Sequence, residues 1–105
     1  MSQFNDALEH ILKTIDARQG GDVSSSWTAK LLADPKLAAK KVGEEAIELV
    51  QASALQDQSA IVAESADLIY HWLVLLAAQG VSLDAVAEKL ESRQAQSGLA
   101  ERAAR

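Results

Sequence analysis

The chain has 105 residues, no cysteine, and ten basic against fifteen acidic residues, giving a net charge of −5. That length fits one domain spanning 1–105, whose core a second copy would help to complete. The missing cysteines exclude a disulfide framework and a thiolate metal site, the acidic balance excludes a basic nucleic-acid surface, and abundant Ala, Leu, Glu, Gln and Lys point to an all-α fold.

In chain order, Phe4, Leu8, Ile11, Leu12 and Ile15 recur at helical spacing with Asp6, Glu9 and Lys13 between them. The pattern predicts an amphipathic first helix that begins near Ser2 or Asn5 and stops near Arg18. The same stretch has no basic segment followed by an apolar one, so it does not read as a signal peptide. QGGDVSSS at 19–26 is a surface loop, with Ser25 or Ser26 capping a short helix through Leu32. Pro35 disfavours helix before it and suits a first helical turn, so it separates that helix from a third one running from about Lys36 to Leu55. On the third helix Val42, Ala46, Leu49, Val50 and Ser53 share one arc, and Lys41, Glu44, Glu45 and Glu48 share another. A polar turn at 56–59 is short enough to set the fourth helix antiparallel to the third, and this helix hairpin is the expected centre of a helical bundle. Gly80 closes the fourth helix, Ser82 caps a fifth carrying Leu83, Val86 and Leu90, and Gly98 ends it, with a frayed tail beyond about 98.

The fourth helix reads IVAESADLIYHWLVLLAA over 61–78, and its only charged residues are Glu64 and Asp67. A helix apolar on nearly every side is normally buried, and each unpaired buried carboxylate costs on the order of several kcal/mol. At 100° per residue, Glu64, Asp67 and His71 fall on one stripe. No Lys or Arg shares this helix, so the neutralising charge must come from another helix or from a metal ion. The run approaches the ~20 residues needed to span a bilayer, but two central acids and a histidine make insertion costly, and no membrane partner is expected.

The acids follow a pattern of ExxE at 45–48, fifteen residues, then ExxD at 64–67. Three-residue spacing points two carboxylates along one helix face, and an antiparallel pair of helices brings both faces together as a cage of hard oxygen ligands. Mg²⁺ is the expected occupant, with the phosphates of a ligand completing its coordination. Taken alone, Glu44, Glu45 and Glu48 read better as a solvated face with Lys40–Glu44 and Lys41–Glu45 pairs; Glu64 and Asp67 do not fit that reading. His71 is a ligand, a proton donor or a satisfied core histidine, and direct Mg²⁺ ligation is the least favoured because hard cations seldom recruit imidazole. Lys41 faces either substrate phosphate or a simple ion pair. Tyr70 and Trp72 read as core or dimer-interface residues, whereas Trp27 offers a ring on which a base can stack.

The segments SSWTAKLL (25–32), KKVGEEAIELVQA (40–52), ESADLIYHWLVLLAAQGVSLDAV (64–86) and EKLESR (88–93) closely resemble the phosphoribosyl-ATP pyrophosphohydrolases of histidine biosynthesis, within the wider MazG-like all-α nucleotide pyrophosphohydrolases. The resemblance implies a Mg²⁺-dependent homodimer, and the lack of cysteine makes the cytoplasm the default compartment. Its activity would be hydrolysis of the α,β-phosphoanhydride of phosphoribosyl-ATP to phosphoribosyl-AMP and pyrophosphate, the second step of that pathway. Carried over by position, Glu45, Glu48, Glu64 and Asp67 are the implied metal ligands. Glu44 is a further ligand or the residue that orients the attacking water. Lys41, Arg18, Ser26, Thr28, His71 and Arg93 are implied on the substrate side. The segment ADPKLA at 33–38 departs from the longer, glycine-containing connection of many members. Two other readings remain open: a general nucleoside triphosphate pyrophosphohydrolase of the MazG type, and a non-catalytic helical dimerisation module.

Overall fold

The computed structural model describes residues 2–95, which form five α-helices and no strand: α1 (Gln3–Arg18), α2 (Trp27–Leu32), α3 (Pro35–Ala54), α4 (Gln58–Gln79) and α5 (Leu83–Gln94). The all-α expectation therefore holds. Every helix start is marked chemically. Ser2, Ser26, Asp34, Asp57 and Ser82 occupy the N-caps, and each side-chain oxygen accepts the backbone N–H three residues on. Asp34 hands over directly to Pro35 in the first turn of α3, where the missing N–H costs nothing. Of the two candidate serines before α2, the cap is Ser26.

The link between α3 and α4 is shorter than the sequence suggests, because Asp57 caps α4 inside the stretch expected to be a turn. Gln56 takes the left-handed conformation at φ 56°; its N–H donates to the Ser53 carbonyl at 3.0 Å, and the Asp57 N–H donates to the Ala52 carbonyl at 3.3 Å. This paired closure satisfies carbonyls that would otherwise be orphaned at the end of α3. Gly80, at φ 70°, closes α4 in the same way, with bonds from its own N–H to Ala77 and from Val81 to Leu76. Helix α5 ends at Gln94, capped by Ala95. Gly98 and the tail after it lie outside the described residues.

Among all helix pairs α3 and α4 share the most extensive contact, α2 packs on α1, α3 and α4, and α1 also reaches α4. The buried core gathers Ile15 from α1, Leu31 and Leu32 from α2, Ala38 from α3, and Leu73 and Val74 from α4, with Leu8, Ile11, Leu12 and Leu83 against its edge. The fourth helix is not buried on every side within the chain, contrary to the expectation from its apolar run. Its buried residues, His71, Leu73 and Val74, lie in the C-terminal half, while Val62 near the start is 69% exposed. By length and composition α4 could cross a membrane, and it carries Glu64, Asp67 and His71 through its middle.

Helix α3 also departs from its expected arc. Val42, Ala46 and Leu49 are half-buried, but Ser53 and Val50 are exposed, Val50 at 68%. The line turned fully inward is Ala38, Glu45 and Ala52, spaced by seven, so a carboxylate stands in the middle of the packed stripe. Ile47, Val50, Leu55 and Val62 together leave a large apolar exposure on α3, the link and the start of α4.

Candidate metal centre

Glu45 and Glu48 stand one turn apart on α3, and Glu64 meets them from α4; one carboxylate oxygen from each lies within 4.8 Å of the other two. Glu45 is buried, Glu64 half-buried and Glu48 exposed. The Oε2 atoms of Glu45 and Glu64 are buried without a hydrogen-bond partner. Buried oxygens in that state are unfavourable, and facing negative charges make them more so. Burial pushes the Glu45 carboxyl above the ordinary carboxylate range, the neighbouring Glu48 carboxylate adds to the rise, and Lys41 opposes it. A divalent cation answers all of this at once: it is positive, and it binds hard carboxylate oxygens presented by a few side chains. The orphaned oxygens and the donor chemistry fit such an ion.

Lys41 provides partial compensation. Its Nζ lies 3.4 Å from Glu44 Oε1 and 3.5 Å from Glu45 Oε1. Desolvation works to lower the Lys41 pKa, but Glu44 and Glu45 outweigh it and the net shift is upward. The two oxygens of Glu45 therefore have different surroundings, Oε1 beside an ammonium and Oε2 without a partner. Glu44 is exposed at the edge of the cluster.

Asp67 does not join the three glutamates at that distance and is exposed. The inference that it is buried among apolar neighbours is corrected here: the chain leaves its flank of α4 uncovered. What Asp67 contributes within the chain is its backbone carbonyl, which accepts the His71 Nδ1–H at 2.8 Å. The Trp27 indole N–H can only donate, and it reaches His71 Nε2 at 3.5 Å. That bond fixes the acceptor at Nε2 and the proton at Nδ1. Both nitrogens of buried His71 are thus engaged, and the ring braces α2 against α4 instead of pointing freely at a ligand.

The remaining substrate-side candidates are dispersed. Ser26 is the cap of α2, and the Thr28 hydroxyl shares a short hydrogen bond with the Tyr70 hydroxyl across the α2–α4 junction. Arg18 lies exposed in the last turn of α1 and Arg93 in the last turn of α5. A cleft of about 200 Å³ between α1 and α4, lined by His10, Ile11, Thr14, Ile15 and Tyr70, contains none of the acids. Sequence reasoning missed the Trp27–His71 bond. The SWT and YH segments name the partners, but only the packing of α2 on α4 brings them together.

Residues 8–94 match the family model described as phosphoribosyl-ATP pyrophosphohydrolase. The chain is 63% identical over 106 residues to a phosphoribosyl-ATP pyrophosphatase of Caulobacter vibrioides, covering 100% of this chain and 99% of that protein. It is 61% identical to one from Caulobacter sp. strain K31, with coverage of 100% and 98%. To one from Ruegeria pomeroyi it is 52% identical, with coverage of 93% and 94%. With a match that runs from α1 through α5 and takes in all three clustered glutamates, the chain belongs to the phosphoribosyl-ATP pyrophosphohydrolase family.

Proposed function

We propose that this protein hydrolyses the α,β-phosphoanhydride of phosphoribosyl-ATP to phosphoribosyl-AMP and pyrophosphate, the second step of histidine biosynthesis. The observation that carries this reading is the meeting of Glu45, Glu48 and Glu64 within 4.8 Å, in a chain that full-length relatives named for that activity match closely. Mg²⁺ is the proposed ion, held by Glu45, Glu48 and Glu64, with Asp67 as a further ligand. When bound, it supplies Lewis-acid neutralisation of phosphate oxygens.

Phosphoanhydride hydrolysis depends chiefly on positioning and charge, with little covalent chemistry asked of the protein. Water forms one new P–O bond as the bond to pyrophosphate breaks. Glu44, exposed beside Lys41, is the proposed acceptor of the proton that water gives up. Lys41 holds Glu44 and Glu45 in place and adds positive charge on the side from which phosphates approach. The brace of Trp27, His71 and the Asp67 carbonyl keeps α4 in register with α2.

A homodimer is the proposed assembly, with the second copy covering the apolar surface of α3 and the start of α4. Neither nucleic acid nor a membrane is a partner in this reading, which places the enzyme in the cytoplasm. Glu64→Gln removes a charge but hardly any volume; it should lower turnover of phosphoribosyl-ATP at least a hundredfold while circular dichroism stays unchanged. Turnover near the parent level would remove Glu64 from the site. Equal rates on ordinary nucleoside triphosphates would favour the general MazG-type activity, and absence of both turnover and calorimetric Mg²⁺ binding would favour a dimerisation module.

A further inference from the structure

Trp27 combines two features that a packing residue does not need together. Its indole N–H is tied to Nε2 of buried His71, yet the residue remains 46% exposed. His71 is itself fixed by the Asp67 carbonyl. The indole is therefore held against the stripe of α4 that also carries Asp67 and, two turns back, Glu64, a carboxylate proposed to bind the metal. With its polar edge turned inward, the exposed part of the ring is largely apolar. Lys30, on the next turn of α2, places its ammonium 5.8 Å from the ring centroid, within cation–π range.

A flat, electron-rich ring held in one orientation, with a cation over it and the acids proposed to process phosphate on the same helix stripe as its anchor, matches the chemistry that takes a nucleobase. Bases stack on aromatic side chains whatever their hydrogen-bonding edge, and a neighbouring basic group can take a phosphate oxygen. We infer that Trp27 is the stacking platform for the purine base of the substrate, with Lys30 meeting a phosphate oxygen beside it. The inference rests on the proposed function and deepens it, because it names the residue that separates a nucleotide from other pyrophosphate-bearing molecules. Trp27 is here a binding residue with a second duty, since the same side chain steadies His71.

Three variants separate these duties. Trp27→Ala removes platform and hydrogen bond together, and KM for phosphoribosyl-ATP should rise roughly ten- to a hundredfold, the range of base-stacking losses. Trp27→Phe keeps an aromatic face but loses the N–H, so its KM should stay within about threefold of the parent, since stacking survives. A Trp27→Phe variant as impaired in KM as Trp27→Ala would overturn the platform and leave Trp27 as a brace for His71; so would a Trp27→Ala variant with parental KM. The third variant, Trp72→Phe, leaves Trp27 as the only tryptophan, one of two in the chain, and needs no change at the site. Adenosine monophosphate with Mg²⁺ should then quench its fluorescence, and inorganic pyrophosphate with Mg²⁺ should not. Equal responses to both, or none to the nucleotide, would also overturn the inference. A parent protein that fails to turn over phosphoribosyl-ATP counts against the proposed function instead, so the two failures are distinct.

Discussion

Glu45 occupies a position where Leu or Ala would pack better, in line with Ala38 and Ala52 on the inward stripe of α3. Burial and the Glu48 carboxylate raise its pKa, so the folded chain disfavours its ionised form more than the unfolded chain does. The sign follows: without metal, Glu45 costs stability above its raised folded pKa, and that cost fades as the pH falls toward the ordinary glutamate value. We expect Glu45→Gln to raise the Tm of metal-free protein at pH 8, with the advantage shrinking on acidification, and to abolish Mg²⁺ binding by calorimetry. A lower Tm for the variant at every pH would show that the Lys41 pair outweighs the burial. In the parent, Mg²⁺ affinity should weaken as protons compete for Glu45. Much of this site was legible from residue spacing alone: ExxE and ExxD single out Glu45, Glu48 and Glu64. Asp67 was not legible in the same way. Its three-residue spacing from Glu64 gives a direction along α4, but not which flank of that helix α1, α2 and α3 leave uncovered.

At the scale of the helices, the stops and starts that were readable are those with a residue-specific backbone reason. Pro35 opens α3, Ser82 caps α5, and Gly80 closes α4 in the left-handed region. The end of α3 uses the same closure with Gln56, whose side chain gives no hint of it, and so α4 starts earlier than the sequence pattern suggests. A non-glycine residue in that conformation costs on the order of 1 kcal/mol. Gln56→Gly should therefore stabilise the fold by about that amount, less the entropy that glycine adds to the unfolded chain. Gly80→Ala should destabilise it by about 1 kcal/mol, because nothing lies within 4 Å of the added Cβ and the conformational penalty stands alone. Urea denaturation followed by circular dichroism measures both. Equal and opposite shifts would identify the φ preference as the common cause; a destabilising Gln56→Gly would mean that the Gln side chain makes a contribution larger than the strain it carries.

For the whole molecule, the apolar surface on α3 and the start of α4 argues most directly for an assembly. Ile47, Val50, Leu55 and Val62 are 60%, 68%, 81% and 69% exposed, while the packed core of this chain is drawn from residues further along α4, from α1 and α2, and from Ala38 near the start of α3. Single exposed apolar residues are ordinary, but several large ones along the helix pair that carries the acids are not. The sequence makes α4 apolar on nearly every side, which follows if one flank meets α1, α2 and α3 and another meets a second copy. A substitution tests this with little ambiguity, because Val62 is exposed in the chain alone and would be covered in the proposed dimer. Val62→Asp should leave the fold of the isolated chain within about 0.5 kcal/mol of the parent, as surface substitutions usually do. In a dimer the aspartate would be buried at the contact, and the unpaired charge should weaken association by several kcal/mol. Sedimentation equilibrium should then show the parent as a dimer and the variant as a folded monomer at micromolar concentration, with activity reduced if the second copy completes the site. A monomeric parent, or a variant that dimerises as tightly as the parent, would move the partner surface away from α4 and leave the exposure of Val62 without its proposed cover.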